Sequence, residues 1–494
     1  MSQQTIRKVV IAGGGSAGWS AAAALSRLLG PLLEITLIES KDIGTIGVGE
    51  STVPTIRNFH HLLNIDERDF LRASNGAIKM AIRYADWARP GDSYFHSFGV
   101  IGKSPWMAGF HHLWHQAHAD GLAGELGSYC LEHEAARAGK FHTGPDTRLN
   151  YAYHLDTALY GQYLRKLSEQ AGVRRIEGTI TAVQQNAESG HITALTLDSG
   201  ETVAGDLFID CTGMRALLIE QTLKTGYEDW GHWLINDRAI ARQTESSGPF
   251  MPYTEATAHA DGWRWRIPLR NRTGNGLVYS SRTLSDDAAL TRFDQLCPAP
   301  DNAPPPAVIR FTCGRRLKVW HKNVIALGLS SGFIEPLEST NIHLFHSGIT
   351  RLVQNFPFAG ITDASRHHFN AASQHEAENI RDFIIMHYKL TERDDSDYWR
   401  GRRDMTIPDS LAERMALYRE SAKLYQLPDE VFRVDSWLQV MHGQRLRPES
   451  WHHLGRLMTR EQTQMALNGL SRNITETVSR MPTHGDFLAS WLAT

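Results

Sequence analysis

Val9-Val-Ile-Ala-Gly-Gly-Gly-Ser-Ala-Gly18 reads as an apolar strand that ends in a glycine turn, and the alanine-rich run behind it, to about Leu29, reads as a helix. The stretch fits G-x-G-x-x-G in its structural setting. Gly13 permits the tight turn, Gly15 lets backbone approach a pyrophosphate, and Gly18 allows the helix to pack closely, with Ser16 and Ala17 between them. A second strand, Ile35 to Ile38, runs into Glu39, an acid placed for a ribose hydroxyl. Strand, glycines, helix, strand and terminal acid together predict an α/β fold that binds a dinucleotide. Asp206-Leu-Phe-Ile-Asp-Cys-Thr-Gly213 reads as another buried strand entering a glycine turn, at Gly213, near the same nucleotide. That arrangement suits FAD, although an ordinary core strand reads the same way. No second G-x-G-x-x-G stands between a strand and a helix, so reduced flavin is expected from a separate reductase; some single-domain monooxygenases nevertheless bind NADPH without the motif.

Composition narrows the partners. The 494 residues carry a net charge of −3, 21% are charged, and no long block of like charge occurs, so neither nucleic acid nor an anionic membrane surface is indicated. The N-terminal Met-Ser-Gln-Gln-Thr-Ile-Arg-Lys leads straight into the first strand with no apolar stretch long enough for a signal peptide or a membrane span, which points to a cytoplasmic protein. Cys130, Cys211, Cys297 and Cys313 show no CxxC spacing, which argues against a disulfide framework or a cysteine-rich metal site. Redox chemistry in such a chain needs a cofactor.

Further along, Leu155 to Gln170 is helix-compatible, and strands are expected at Ile176 to Gln184 and His191 to Leu197. Five prolines in residues 298–306 read as a surface loop. Helix-forming segments dominate after about residue 360. The expected division is an FAD-binding part over residues 1–400, with substrate elements woven into it, and a mainly helical part over 401–494.

Several segments carry candidate chemistry. In Phe333-Ile-Glu-Pro-Leu-Glu-Ser-Thr-Asn-Ile342, the carboxylate of Glu338 stands just before a helix whose Ile342, Phe345, Ile349, Leu352, Val353 and Phe356 fall at helical spacing until Pro357. The free N–H groups of such a first turn can hold a small anion, but Ser339 and Thr340 also read as ordinary helix caps. Trp263-Arg-Trp-Arg-Ile-Pro268 alternates as a strand, with both indoles on one face, and Asn275-Gly276 offers a hairpin turn after it. The paired tryptophans suit a core or a ligand wall equally. In Gly76-Ala-Ile-Lys-Met-Ala-Ile-Arg-Tyr84, the apolar residues Ile78, Met80, Ile82 and Tyr84 share a face and Lys79 points the other way, as a surface lysine would. His111, His112, His115 and His118 lie along one predicted helix, but no carboxylate or cysteine completes a familiar metal pattern, so no metal is assigned.

Taken together these segments resemble the flavin-dependent tryptophan halogenases. Gly13 to Trp19, Gly47-Val-Gly-Glu-Ser-Thr-Val-Pro54, the segment around Lys79, Trp263 to Pro268 and Phe333 to Ile342 occur in family order, and the last three are specific to the family. The resemblance implies an FAD-binding Rossmann-like fold similar to flavin monooxygenases, with a helical C-terminal subdomain covering the substrate site. It further implies that FADH2 from a partner reductase and O2 form a flavin hydroperoxide that chloride or bromide attacks. The resulting hypohalous acid reaches a lysine, matched by Lys79, and a carboxylate matched by Glu338 takes up the proton of the ring intermediate. The amides of Thr340 and Asn341 match the halide site, where family members acting on free tryptophan commonly carry glycine in place of Asn341. Leu329 and Ile342 match residues flanking the isoalloxazine, and Gly49 and Glu50 match the loop over FAD.

His96 and Phe98, in Tyr94-Phe-His-Ser-Phe-Gly99, match residues that sandwich an indole. Family enzymes for free tryptophan hold its amino-acid end with a Tyr-Tyr pair before a glycine-rich turn, and here Trp437-Leu438 precedes Gly443-Gln444. Neither residue replaces two phenolic donors, so indole or a substituted indole is the expected substrate, acted on by a monomer or homodimer. Two rivals stand beside this reading. A flavin-dependent aromatic monooxygenase would hydroxylate without needing Lys79 and Glu338, and a non-catalytic flavin protein would yield no organic product.

Overall fold

Val9, Val10 and Ile11 are buried because their strand lies inside a six-stranded sheet, and strands with both faces covered are apolar throughout. The order is Trp320–His321, Val324–Ala326, Leu207–Asp210, Lys8–Ala12, Glu34–Glu39, Arg174–Glu177. All neighbours are parallel except the first pair. The chain direction across the sheet reverses between Lys8–Ala12 and Leu207–Asp210. In a doubly wound sheet such a switch point opens a crevice at the carboxyl ends of the two strands. The helices Ser16–Leu29, Thr157–Gln170 and Asn341–Gln354 belong to the same unit, and Val10, Ile38, Leu195, Phe208, Leu218 and Val324 share one buried apolar cluster there.

The computed structural model describes residues 5–41, 49–104, 107–144, 147–246, 249–298 and 306–493. The chain divides into two compact units, the one above (Met1–Gly76, Leu155–Asp237, Ile309–Glu378) and a second (Ala77–His154, Arg238–Val308, Asn379–Thr494). In the second unit a sheet runs in the order Arg238–Thr244, Thr273–Tyr279, Gly262–Pro268, Tyr253–His259, Ala81–Ala85, Ser93–Ser97. The pairings are antiparallel apart from Tyr253–His259 with Ala81–Ala85. Helices supply most of the rest: Phe110–Ala119, Leu131–Arg137, Asp397–Asp404, Asp409–Ser421, Val434–Gly443, Arg460–Arg480 and His484–Ala493. No helix among the described residues is long and apolar enough to cross a membrane.

The strand–turn–helix–strand start is as the sequence predicts: Lys8–Ala12, Ser16–Leu29, Glu34–Glu39. Elsewhere tertiary context overrides local pattern. The stretch expected as helix from Leu155 begins at Thr157, because Asp156 ends a strand and its carboxylate caps the helix through the amides of Ala158 and Leu159. The single strand expected from Ile176 to Gln184 is two, Arg174–Glu177 and Ile180–Gln185. Asn275-Gly276 makes no turn; both lie within the strand Thr273–Tyr279, and the chain reverses where the Leu269 amide bonds the Arg272 carbonyl. Gly276 pairs with Trp265, and a Cβ there would lie 1.9 Å from the indole, so this glycine makes room for a ring. Most of the proline-rich stretch, and Gly47 and Val48 before Gly49, lie outside the described residues.

Candidate active site

In the first unit, the dinucleotide residues gather at the switch point. Gly13 adopts φ +109°, and a Cβ on it would stand 2.2 Å from the carbonyl oxygen of Cys211, so only glycine lets the two crevice turns touch. Gly18 is as constrained, its missing Cβ lying 1.9 Å from the Gly13 carbonyl. Gly213, at φ +69°, opens the second turn. The Asp210 carboxylate holds that turn, accepting from Thr212 and from the amides of Leu218 and Ile219 (2.8 Å each). Leu329 sits in a third turn, Gly328–Ser330, tied to Asp210 by the Leu327 amide at 2.9 Å; the missing Cβ of Gly328 would lie 2.8 Å from Ala17.

The helix that starts at Ser16 has no side-chain cap, so its first amides remain open to a phosphate. Glu39 accepts from Trp19 Nε1 at 3.1 Å and pairs with Arg175 and Arg165. Asp210, Trp19 and the two arginines were not singled out from the sequence. Only Trp19, inside the glycine motif, had a local signal, since the arginines reach Glu39 from more than a hundred residues away. Open amides, a side-chain-free turn and an oriented acid fit a dinucleotide.

Also in this unit, Glu338 closes a short turn, Pro336–Glu338, and is buried. Ser339 is left-handed at φ +62°, and Thr340 already has helical angles ahead of the helix Asn341–Gln354. The capping expected of Thr340 therefore does not occur: its hydroxyl makes no cap bond, is buried, and has no hydrogen-bond partner. A buried free hydroxyl beside a helix N-terminus suits a ligand. Ile342 is buried and Asn341 partly so. One turn on, His343 is held by Thr55 Oγ1 (2.9 Å) and Glu376 (3.0 Å). Burial opposes ionisation of Glu376, but His343 and Arg351 hold its carboxyl below the usual range. Gly49 and Glu50 form a short strand with Ser51, and desolvation pushes the Glu50 carboxyl up to about 7.

The second unit collects the other candidates. Lys79 ends the strand Ala77–Lys79 and is 0% exposed, so it is not the surface lysine its alternation suggests. The cause is a break at Met80, whose amide turns to the Pro252 carbonyl, so that two short strands stand where one alternating strand was expected. The ammonium lies 5.0 Å from the centre of the Phe98 ring. Around it the imidazoles are neutral: burial, then Lys79 itself, hold His154 well below its ordinary value, and burial lowers His484 to about 4. His96, 1% exposed, meets Phe98 edge-on at 6.4 Å and lies 5.5 Å from Phe383. Phe383 stacks on Phe432 at 3.8 Å and meets Trp437 at 4.8 Å.

Trp437 is buried in the helix Val434–Gly443, with Arg414 over its ring at 4.1 Å and its Nε1 without a hydrogen-bond partner. Arg414 is itself neutralised by Glu430 at 2.6 Å. Lys79, His96, Phe98 and Trp437 thus fall in one unit and the flavin, carboxylate and helix-start residues in the other. In Phe110–Ala119, His115 stacks on Trp451 and His118 on Trp114, and no group able to hold a metal occurs among the described residues.

This site has known counterparts. The family model for tryptophan halogenase matches residues 8–460. The chain belongs to the tryptophan halogenase family. Among solved structures it is similar to Xcc4156, a flavin-dependent halogenase from Xanthomonas campestris (48% identity, TM-score 0.96, covering 99% of this chain and 98% of that one). BrvH, a flavin-dependent halogenase from Brevundimonas sp. BAL3, matches at 41% identity and TM-score 0.94, over 98% and 99% of the two chains. Among curated relatives, tryptophan 7-halogenase RebH of Lentzea aerocolonigenes is 33% identical over 84% of this chain and 82% of its own. The protein is therefore an enzyme, a flavin-dependent halogenase and hence an oxidoreductase, on an FAD-binding Rossmann-like fold.

Proposed function

We propose that this halogenase uses FADH2, O2 and chloride or bromide to halogenate an electron-rich aromatic, indole or a substituted indole. The observation that carries the reading is the buried Lys79 beside Phe98. An ammonium without solvent is costly to hold in a fold, and such groups cluster where chemistry is done. Bound FADH2, delivered by a separate reductase, supplies with O2 the two-electron oxidation that turns halide into hypohalous acid. Gly13, Gly15, Ser16, Ala17, Gly18, Glu39, Gly213, Leu329 and Ile342 would hold that cofactor, with Gly49 and Glu50 on the loop beside it. The amides of Thr340 and Asn341, together with the unpartnered Thr340 hydroxyl, would hold the halide.

Lys79 donates a proton to the oxygen of hypohalous acid, so that the aromatic carbon takes the halogen and water departs; its amine alternatively carries the halogen as a haloamine. Glu338 stabilises the ring cation and accepts the proton from the substituted carbon. His96 and Phe98, which meet edge-on without substrate, would turn to sandwich the ring, and Trp437 closes the apolar wall. The Arg414 guanidinium beside that wall is already paired with Glu430, which leaves it unsuited to an amino-acid carboxylate and favours indoles over free tryptophan.

The test is mass spectrometry of aerobic reactions with FAD, a flavin reductase, NADH, bromide and a panel of indoles including tryptophan. A bromine isotope doublet on indoles and none on tryptophan is expected. A gain of one oxygen without bromine would sink the reading.

A further inference from the structure

The strand Ser93–Ser97 is the outermost of its sheet, so one edge of its backbone needs partners outside the sheet. It finds them in side chains from the C-terminal helix Val434–Gly443 and the residue before it. Gln439 Oε1 accepts from the Ser97 amide (2.9 Å) and hydroxyl (2.8 Å), while its Nε2 donates to the Ser97 carbonyl (3.0 Å) and to the Asp435 carbonyl (3.1 Å). The buried amide thus pairs with both backbone polar groups of Ser97, as a neighbouring strand would, and with its hydroxyl besides. Arg433 continues the seam by donating to the Phe98 carbonyl at 3.1 Å, and Asp435 accepts from the Ile101 amide at 2.9 Å.

Ser97 stands between His96 and Phe98. On the other side, Ala81 pairs with Ser97, and the Phe98 amide donates to the Met80 carbonyl at 2.9 Å, next to Lys79. The backbone under the two rings is therefore held from both edges, by the lysine's own chain segment and by Gln439. Resting on the function proposed above, we infer that Gln439 is a positioning residue for the aromatic substrate. Its hydrogen bonds go to Ser97 and to the Asp435 carbonyl, none of them to either ring. It fixes the strand on which His96 and Phe98 stand, and so sets where an indole lies relative to Lys79. The seam comes from the same helix as Trp437, so a single clamp aligns the wall residues of this unit.

Indole serves as the probe, with the full-length protein and bound FAD. Q439L removes the amide while keeping an apolar side chain of similar volume, and should raise the Kd for indole by calorimetry on the order of tenfold, because small misplacements of a binding ring are costly. It should also broaden the mixture of monobrominated isomers, with FAD affinity within about twofold of wild type. Q439E is a second variant of nearly the same shape. Its side chain can donate to the Ser97 carbonyl only when protonated, so its Kd should rise at pH 8 and recover toward wild type at pH 6, a pH response that simple loosening of the fold would not give.

An unchanged Kd and isomer ratio in Q439L overturns the inference while leaving the halogenase reading intact. If Q439L does not fold, a wild-type Kd for Q439E at both pH values overturns it. Wild-type protein that binds no indole overturns the substrate reading, and this inference with it.

Discussion

Lys79 concentrates the chemistry at the residue scale. Its stem is buried among strand residues while its ammonium faces an aromatic ring, so Lys79→Met keeps the bulk and deletes only the charge. Halogenated product should vanish while FAD affinity, read by fluorescence titration, stays within about twofold, since the residue lies outside the flavin-binding unit. Product at the wild-type rate would remove the lysine from the mechanism. Glu50 makes a different prediction. Its folded value of about 7 lies above the ordinary carboxyl range, so its contribution to stability is intact at low pH and is lost as the pH rises through 7. Glu50→Gln should therefore be more stable than wild type at pH 8, by about 1–2 kcal/mol after allowance for its partial exposure, and equal to it at pH 4. Denaturant melts at the two pH values check this, and a gap of the same size at both would rule out ionisation as the cause.

At the scale of single elements, Gly276 shows how a local signal misleads. Asn-Gly between apolar runs favours a tight turn, yet here the glycine faces Trp265 across a strand pair. Gly276→Val should cost about 2–3 kcal/mol by crowding the indole, and Trp265→Leu in the same chain should restore much of it. A stability measurement showing no loss in the single variant would show that the glycine is not there to make room for the indole. The glycine-rich start of the chain was legible because its signal is local: strand, turn and helix follow one another within about twenty residues. Alternation alone points Lys79 to the surface, although the family motif marks it as catalytic, because its burial depends on the break at Met80, which follows from a bond to Pro252, far away in sequence. The cap that local chemistry also offers at Thr340 fails for a similar reason. Its side-chain chemistry allows capping, but the left-handed Ser339 starts the helix one residue early and leaves the hydroxyl unused. Trp263 to Pro268, by contrast, is the alternating strand expected, since alternation on a paired strand is itself a tertiary signature.

Across the whole molecule the histidines set the response to acid. In the helix Phe110–Ala119, burial lowers His112 to about 4 and His115 to about 3, and His442 beside them is lowered to about 3 by the same cause. Elsewhere His60 and His259 fall to about 3. Groups kept neutral in the fold but free to charge when unfolded stabilise the protein above pH 6.5, and that stability drains away as the pH falls toward 4. Hydrogen exchange at pH 5.5, corrected for the intrinsic rate, should show Phe110–Ala119 losing protection relative to pH 7.5 before the histidine-free helix Ser16–Leu29 does. Equal loss in both helices would count against a histidine origin. The family and the flavin fold could be recognised from motifs strung along the chain, but the division into two units could not, since each unit interleaves three segments with the other. That interleaving governs how the protein is made. The sheet that carries the flavin crevice needs Val324–Ala326, so a chain emerging from the ribosome cannot close it until two-thirds of the protein has been translated. Until then Leu207–Asp210, already paired with Lys8–Ala12, keeps its other edge open, and an apolar strand with a free edge is the part of a nascent chain most exposed to wrong pairing.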